Sequence, residues 1–94
     1  MSLSMIVEKQ LTIVNKLGLH ARAATQLAKL ANQFEATITM HQEDKEAFAN
    51  SVLALMMLES SQGKEVLVRC DGSDAEKAMQ AIENLIVNKF NEDE

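Results

Sequence analysis

From Ile6 the chain opens with β-branched residues and then alternates, Gln10 and Thr12 against Leu11 and Ile13, as far as Val14. That two-residue period belongs to a strand with one face buried. It stops at Asn15-Lys16-Leu17-Gly18, a turn with a flexible glycine, and a longer period takes over. Ala23 or Ala24, Leu27, Leu30, Ala31 and Phe34 recur every three or four positions, which predicts a helix from about His20 to Asn32. Ala36 to His41 alternates again as a second strand. The polar cluster Gln42 to Glu46 reads as a loop, followed by a very short strand at Ala47-Phe48.

Asn50 or Ser51 can cap a second helix through Val52 to Leu58, since either side chain can accept a bond from an amide one turn in. This helix is short and unusually apolar. Gln62-Gly63 breaks it, Glu65 to Cys70 forms a further strand, and Asp71-Gly72 is expected to turn the chain into the last helix. Ser73 with Glu76 has the spacing of a capping box. Beyond it Ala75, Ala78, Met79, Ile82, Leu85, Ile86 and Phe90 make one apolar stripe, so this helix should lie across a sheet. The order predicts an α+β open-faced β-sandwich, a small antiparallel or mixed sheet covered on one face by helices.

With 94 residues, no proline and three glycines, the chain is expected to form a single domain over 1–94. Residues 1–5 are read as a start outside the fold, with a natural first residue near Met5, and residues 91–94 as an acidic tail. Hydrophobic residues make up 47% of the chain, enough for one two-layer core, and no stretch is long enough to cross a bilayer. Cys70 is the only cysteine, so no internal disulfide can form, which points to the cytoplasm. A net charge of −5, isolated basic residues and the absence of Trp and Tyr exclude a nucleic-acid surface. A protein partner or a small ligand fits better.

Gly18-Leu19-His20-Ala21-Arg22 places a histidine where the first helix begins and its first amides have no intrahelical partner. Those amides, at the positive end of the helix dipole, form an anion site requiring no metal or other cofactor. The backbone at Gly18, Ala21, Arg22 and Ala23 is therefore the candidate phosphate cradle. The Arg22 guanidinium adds charge for phosphoryl oxygens. Histidine suits a phosphoryl carrier because its neutral imidazole is nucleophilic near physiological pH. By itself a histidine at a helix start is more often a cap or a half-exposed surface residue. In the second helix Leu55 and Leu58 satisfy the core, leaving Val52, Leu53 and Met56 on other faces. They either complete a tightly packed core or form a Met-containing docking patch beside the histidine.

Gly18-Leu19-His20-Ala21-Arg22-Ala23-Ala24 resembles the active-site signature of the HPr family, and Ala49 to Leu58 resembles its second-helix signature. The resemblance spans about residues 6 to 90. It implies a four-stranded antiparallel sheet with three helices and phosphorylation of His20 on Nδ1 by phosphoenolpyruvate-dependent enzyme I. Transfer to an EIIA-type acceptor follows, with Arg22 steadying the phosphoryl group. Such a protein is a carrier and not an independent enzyme, and the family leans toward monomers. Ala49 to Leu58 and the acidic ending look like the family's nitrogen-branch paralogue. A sugar-branch carrier and a non-catalytic module acting through the second helix are the alternatives. Ser51 falls where some members carry a regulatory phosphoserine, although a helix cap accounts for it without a kinase. The family usually has proline after the arginine; Ala23 stands there, which loosens the helix entry and adds an amide.

The other candidates are weaker. His41 has no second ligand at metal spacing and reads as a surface residue. Cys70 ends an apolar strand and reads as a small packed hydrophobe. The tail carboxylates read as a solvated end with no paired arrangement for acid–base catalysis.

Overall fold

The structure is a computed structural model and describes residues 5–92. It runs β1 (Met5–Thr12), α1 (Ala21–Ala31), β2 (Thr37–Gln42), β3 (Lys45–Phe48), α2 (Val52–Met57), β4 (Glu65–Gly72) and α3 (Ala75–Val87), ending in a 3-10 turn at Lys89–Asn91. Met5 is thus the first residue of β1 and lies inside the fold; residues 1–4 lie outside the described residues. Four strands form one sheet in the order β1-β4-β2-β3, every neighbouring pair antiparallel. Of the two arrangements the sequence left open, the antiparallel one is found.

Alternation along each strand divides the sheet into two faces. Leu11, Ile38, Met40, Val66, Val68 and Cys70 point to the helices and are buried. The opposite face carries Glu8, Thr39, His41, Glu46 and Arg69, with ion pairs His41 to Glu46 at 3.2 Å and Arg69 to Glu8 at 3.9 Å. His41 is a surface residue of this open face, as expected, and also meets the Thr39 hydroxyl at 3.1 Å. α3 lies over β1 and β4, and α1 packs between α2 and α3. Burial pushes the Cys70 thiol up to about 11, with the charge of Asp74 adding to it, so the sulfur is a packed hydrophobe.

The polar cluster at 42–46 is a hairpin instead of a loop, with Gln42 paired to Lys45 and Glu43 in a left-handed turn conformation at φ 56°. Gln42 takes an inward position because its polar atoms are satisfied there. Its amide donates to Leu58 O at 3.2 Å, and its Oε1 accepts from the Ser60 hydroxyl.

β4 also outruns the sequence reading. Asp71 and Gly72 belong to the strand, Gly72 opposite Met5, where a Cβ on Gly72 would come within 2.7 Å of Ala36 Cα. The turn follows at residues 73 and 74, and the expected capping box of Ser73 and Glu76 does not form. Asp74 is the N-cap residue, without a side-chain bond to its own helix. Its carboxylate accepts instead from the amides of Glu35 at 2.9 Å and Ala36 at 2.8 Å, closing the loop between α1 and β2. The Glu35 amide, ahead of the Ala36 amide and Lys77, holds this carboxyl below its usual range.

The stripe on α3 ends differently too. Ala75, Ala78, Met79, Ile82 and Ile86 are buried along the helix, but the helix stops at Val87. Lys89, Phe90 and Asn91 then adopt φ values of 58°, 54° and 63°. Left-handed backbone costs on the order of 1–2 kcal/mol at each non-glycine residue, so this turn persists only because something beyond it is held. Phe90 is fully buried, turned into the core from outside the helical register.

Candidate functional site

β1 pairing continues one residue past the strand, with the Ile13 amide on Lys64 O at 2.9 Å and the Gly63 amide on Ile13 O at 2.8 Å. The chain then turns through Asn15 to Gly18 and is pinned again by the Leu19 amide on Ser60 O at 2.8 Å. Gly18 is required twice over. Its φ is 68°, and a Cβ there would lie 2.5 Å from Ser60 O and 2.9 Å from Ser61 Cα. Gly18→Ala is expected to lower the unfolding free energy by about 2 kcal/mol or more, read as a lower denaturant midpoint at unchanged slope. An unchanged midpoint would contradict this packing.

His20 is the N-cap of α1, in extended backbone at φ −81° and ψ −176°. Its Nδ1 accepts from the Arg22 amide at 3.1 Å, satisfying one of the helix's open donors. Of the four amides expected to cradle an anion, Arg22 N–H is thus directed at the imidazole. Those of Ala21 and Ala23 lie in the first turn, beyond the reach of any intrahelical acceptor. Gly18 departs from the expectation, because its amide donates to Asn15 O at 3.2 Å inside the turn. Ala23 is wholly buried, its methyl part of the core, and the first helical turn forms without a proline. Arg22 is exposed.

The tail completes the site. Glu92 bends back so that one carboxylate oxygen meets His20 Nε2 and the other accepts from Asn15 Nδ2 at 3.0 Å. The Glu92 side chain is 11% exposed and that of His20 26%. The Asn15 bond, then His20 and the positive charge of Arg22, hold the Glu92 carboxyl below its usual range. The reading of the tail as a solvated end is therefore corrected for Glu92, while Asp93 and Glu94 lie outside the described residues. Sequence reasoning missed both Asn15, taken as a turn residue, and Glu92. The one available signal was Phe90, an apolar anchor two residues before the carboxylate.

α2 is capped by Ser51, whose hydroxyl accepts from the Ala54 amide at 3.2 Å, deciding between Asn50 and Ser51. Leu55 and Leu58 are buried. Leu53 is 70% exposed, Met56 40% and Met57 64%, whereas Val52 is half-buried against the core. The apolar surface thus comprises Leu53, Met56 and Met57, the last absent from the sequence-based set, and Val52 divides between patch and core. Leu17, also exposed, borders a shallow depression shared with His20, Leu19, Glu59, Ser60 and Ser61, which carries the surface from the histidine to the end of α2. Among the described residues no group of three or more His, Cys, Asp or Glu could hold a metal, and no helix is long and apolar enough to cross a membrane.

A family model described as "PTS HPr component phosphorylation site" matches residues 7–88. The chain belongs to the HPr family. Among HPr-family relatives it is 54% identical over 86 residues to the phosphocarrier protein NPr of Shewanella violacea, covering 92% of this chain and 94% of that protein. It is 43% identical over 88 residues to the phosphocarrier protein HPr of Xylella fastidiosa, covering 94% and 99%. The crystal structure of HPr-C-His from Thermoanaerobacter tengcongensis superposes with a TM-score of 0.89 at 36% identity, covering 94% of this chain and 99% of that one. This HPr-family protein is a phosphocarrier of the phosphotransferase system, with enzyme I-type and EIIA-type proteins as the class of partner.

Proposed function

We propose that His20 accepts a phosphoryl group on Nδ1 from a phosphoenolpyruvate-dependent enzyme I and passes it to an EIIA-type protein in the regulatory nitrogen branch. The observation that carries this reading is the Arg22 amide on Nδ1. An amide N–H can only donate, so the nitrogen it meets holds a lone pair and no proton. That nitrogen faces the start of α1, where the open amides and helix dipole favour an anion. Once phosphorus is attached, the Arg22 amide can turn from nitrogen to a phosphoryl oxygen, and the guanidinium of exposed Arg22 can add a second charge-assisted contact.

Leu53, Met56 and Met57, with half-buried Val52 at their edge, form the docking surface beside His20. Methionines adapt their shape, which suits a surface that must fit both a donor and an acceptor in turn. Ser51 acts as the helix cap; its hydroxyl is already used there. The nitrogen branch is favoured over the sugar branch by the higher identity to the Shewanella NPr than to the Xylella HPr.

Incubation with phosphoenolpyruvate and enzyme I should add one acid-labile phosphate of about 80 Da by intact mass. Nitrogen-branch enzyme I is expected to act faster than sugar-branch enzyme I; the reverse order would overturn the branch assignment. No adduct with either would make an interaction module working through α2 the better account.

A further inference from the structure

We propose that Glu92 is a positioning residue for phosphoryl transfer, holding the His20 proton on Nε2 so that Nδ1 is kept as the free nucleophile. The inference rests on His20 Nδ1 being the acceptor, and it gives the tail a part in that site.

A neutral imidazole has one proton and two nitrogens. Nδ1 faces the Arg22 amide, a donor, and Nε2 faces the Glu92 carboxylate, which when ionised can only accept. Both neighbours therefore require the same tautomer, with the proton on Nε2. Glu92 is in turn oriented by Asn15, which is fully buried. Asn15 Nδ2 donates to Gly18 O at 2.8 Å and to Glu92 Oε1 at 3.0 Å. Two oxygens face that amide nitrogen, so the side chain cannot be flipped without setting oxygen against oxygen. The left-handed turn at 89–91 and the buried Phe90 deliver Glu92 to this place.

In the reaction Nδ1 shares its lone pair with phosphorus while the bond from phosphorus to the donor's leaving atom breaks and its electron pair departs with the donor. Nε2 keeps its proton, so no base is needed. The ring gains positive charge, which the Glu92 carboxylate offsets across the Nε2–H bond. In the second transfer the electron pair of the N–P bond returns to Nδ1, and the ring regains the neutral form with its proton still on Nε2. A carboxylate behind a reacting histidine plays a comparable orienting part in hydrolytic triads.

Two substitutions separate positioning from a merely structural tie. In Glu92→Gln, Asn15 continues to require an oxygen, so the new amide turns its NH2 toward His20. Facing a donor, Nε2 must accept, and the proton moves to Nδ1, which can then neither attack phosphorus nor accept from Arg22. Glu92→Ala removes the carboxylate and leaves the Arg22 amide alone to choose the tautomer. With limiting enzyme I and phosphoenolpyruvate, the initial rate by intact mass is expected to fall about 100-fold for Glu92→Gln and roughly three- to tenfold for Glu92→Ala. The ring 15N resonances of His20, recorded with the imidazole neutral, should show Nε2 protonated in the wild type and in Glu92→Ala, and a shift of the proton to Nδ1 in Glu92→Gln. A Glu92→Gln protein as fast as Glu92→Ala or faster, or with the wild-type ring spectrum, would overturn the proposal. A wild-type protein that takes no phosphate fails the carrier reading and this role with it, whereas a wild type that is phosphorylated while both variants keep its rate fails the role alone.

Discussion

His20→Gln is expected to give a folded protein that takes up no phosphoryl group. The imidazole is the only group at the start of α1 with a nitrogen lone pair free for bonding to phosphorus; a carboxamide nitrogen has its pair delocalised into the carbonyl. The structural cost should be small. His20 contributes one cap bond, from the Arg22 amide at 3.1 Å, whose loss costs about 0.5–2 kcal/mol, and a bond to the Glu92 carboxylate that a glutamine NH2 can also donate. The glutamine carbonyl can recover part of the cap. Intact mass after incubation with enzyme I and phosphoenolpyruvate reads the result directly: the wild-type adduct is absent, while the thermal midpoint moves by only a few degrees. An acid-labile adduct surviving in His20→Gln would place the acceptor on another nitrogen and remove His20 from the reaction.

Phe90→Ala is expected to have the largest effect on stability. The ring is completely buried, and truncating a core phenylalanine costs about 3–5 kcal/mol in lost transfer energy and residual cavity. Small domains hold only about 5–15 kcal/mol in all, so the denaturant midpoint should fall by a large fraction. Phe48→Ala is the matched control. Phe48 is 56% exposed on the sheet face, and its truncation should change stability by no more than about 0.5 kcal/mol. Phe90→Ala should also slow phosphorylation, because the left-handed turn at residues 89–91 has nothing else of this size to hold it, and Glu92 leaves His20 when the turn relaxes. A midpoint within about 1 kcal/mol of the wild type would mean that the tail is not anchored through the core.

The two experiments probe the same site from opposite ends. His20 is local, placed by the turn at Gly18 and the first turn of α1. Phe90 is remote in sequence and acts through a carboxylate two residues further on. If the site were built only from the segment around His20, a stability variant in the last turn would leave the rate per folded molecule unchanged. The hydrogen bonds from Asn15 and His20 to Glu92 make the opposite expectation.

Much of this was legible from the chain alone, because the signals were local. Alternation at Leu11 and Ile13, the three-to-four spacing from Ala23 to Ala31 and the stripe from Ala75 to Ile86 each report which side of one element is buried, and those elements were found. Gly18 and His20 follow from turn and cap chemistry within a few residues. The misses share another character. Gln42 is polar, yet it belongs to a strand because Leu58 and Ser60 satisfy it. Ser73 and Glu76 have the spacing of a capping box, yet Asp74 begins the helix with its carboxylate drawn to the amides of Glu35 and Ala36. Met57 is absent from the sequence-based patch although spacing already assigns Leu58 to the core; it is 64% exposed beside Leu53 and Met56, where the rest of the fold leaves that face of α2 uncovered.

By itself, then, the sequence determined the order and faces of the elements, the family signatures and the histidine at the head of α1, since periodicity, capping and turn preference act between residues a few positions apart. The tertiary structure alone decided which strands became neighbours, how far β4 ran, and that Glu92 would return to His20. A carboxylate 72 positions away has no local preference for an imidazole. It arrives there because Phe90 must be buried and Asn15, itself buried, must find an oxygen for its amide.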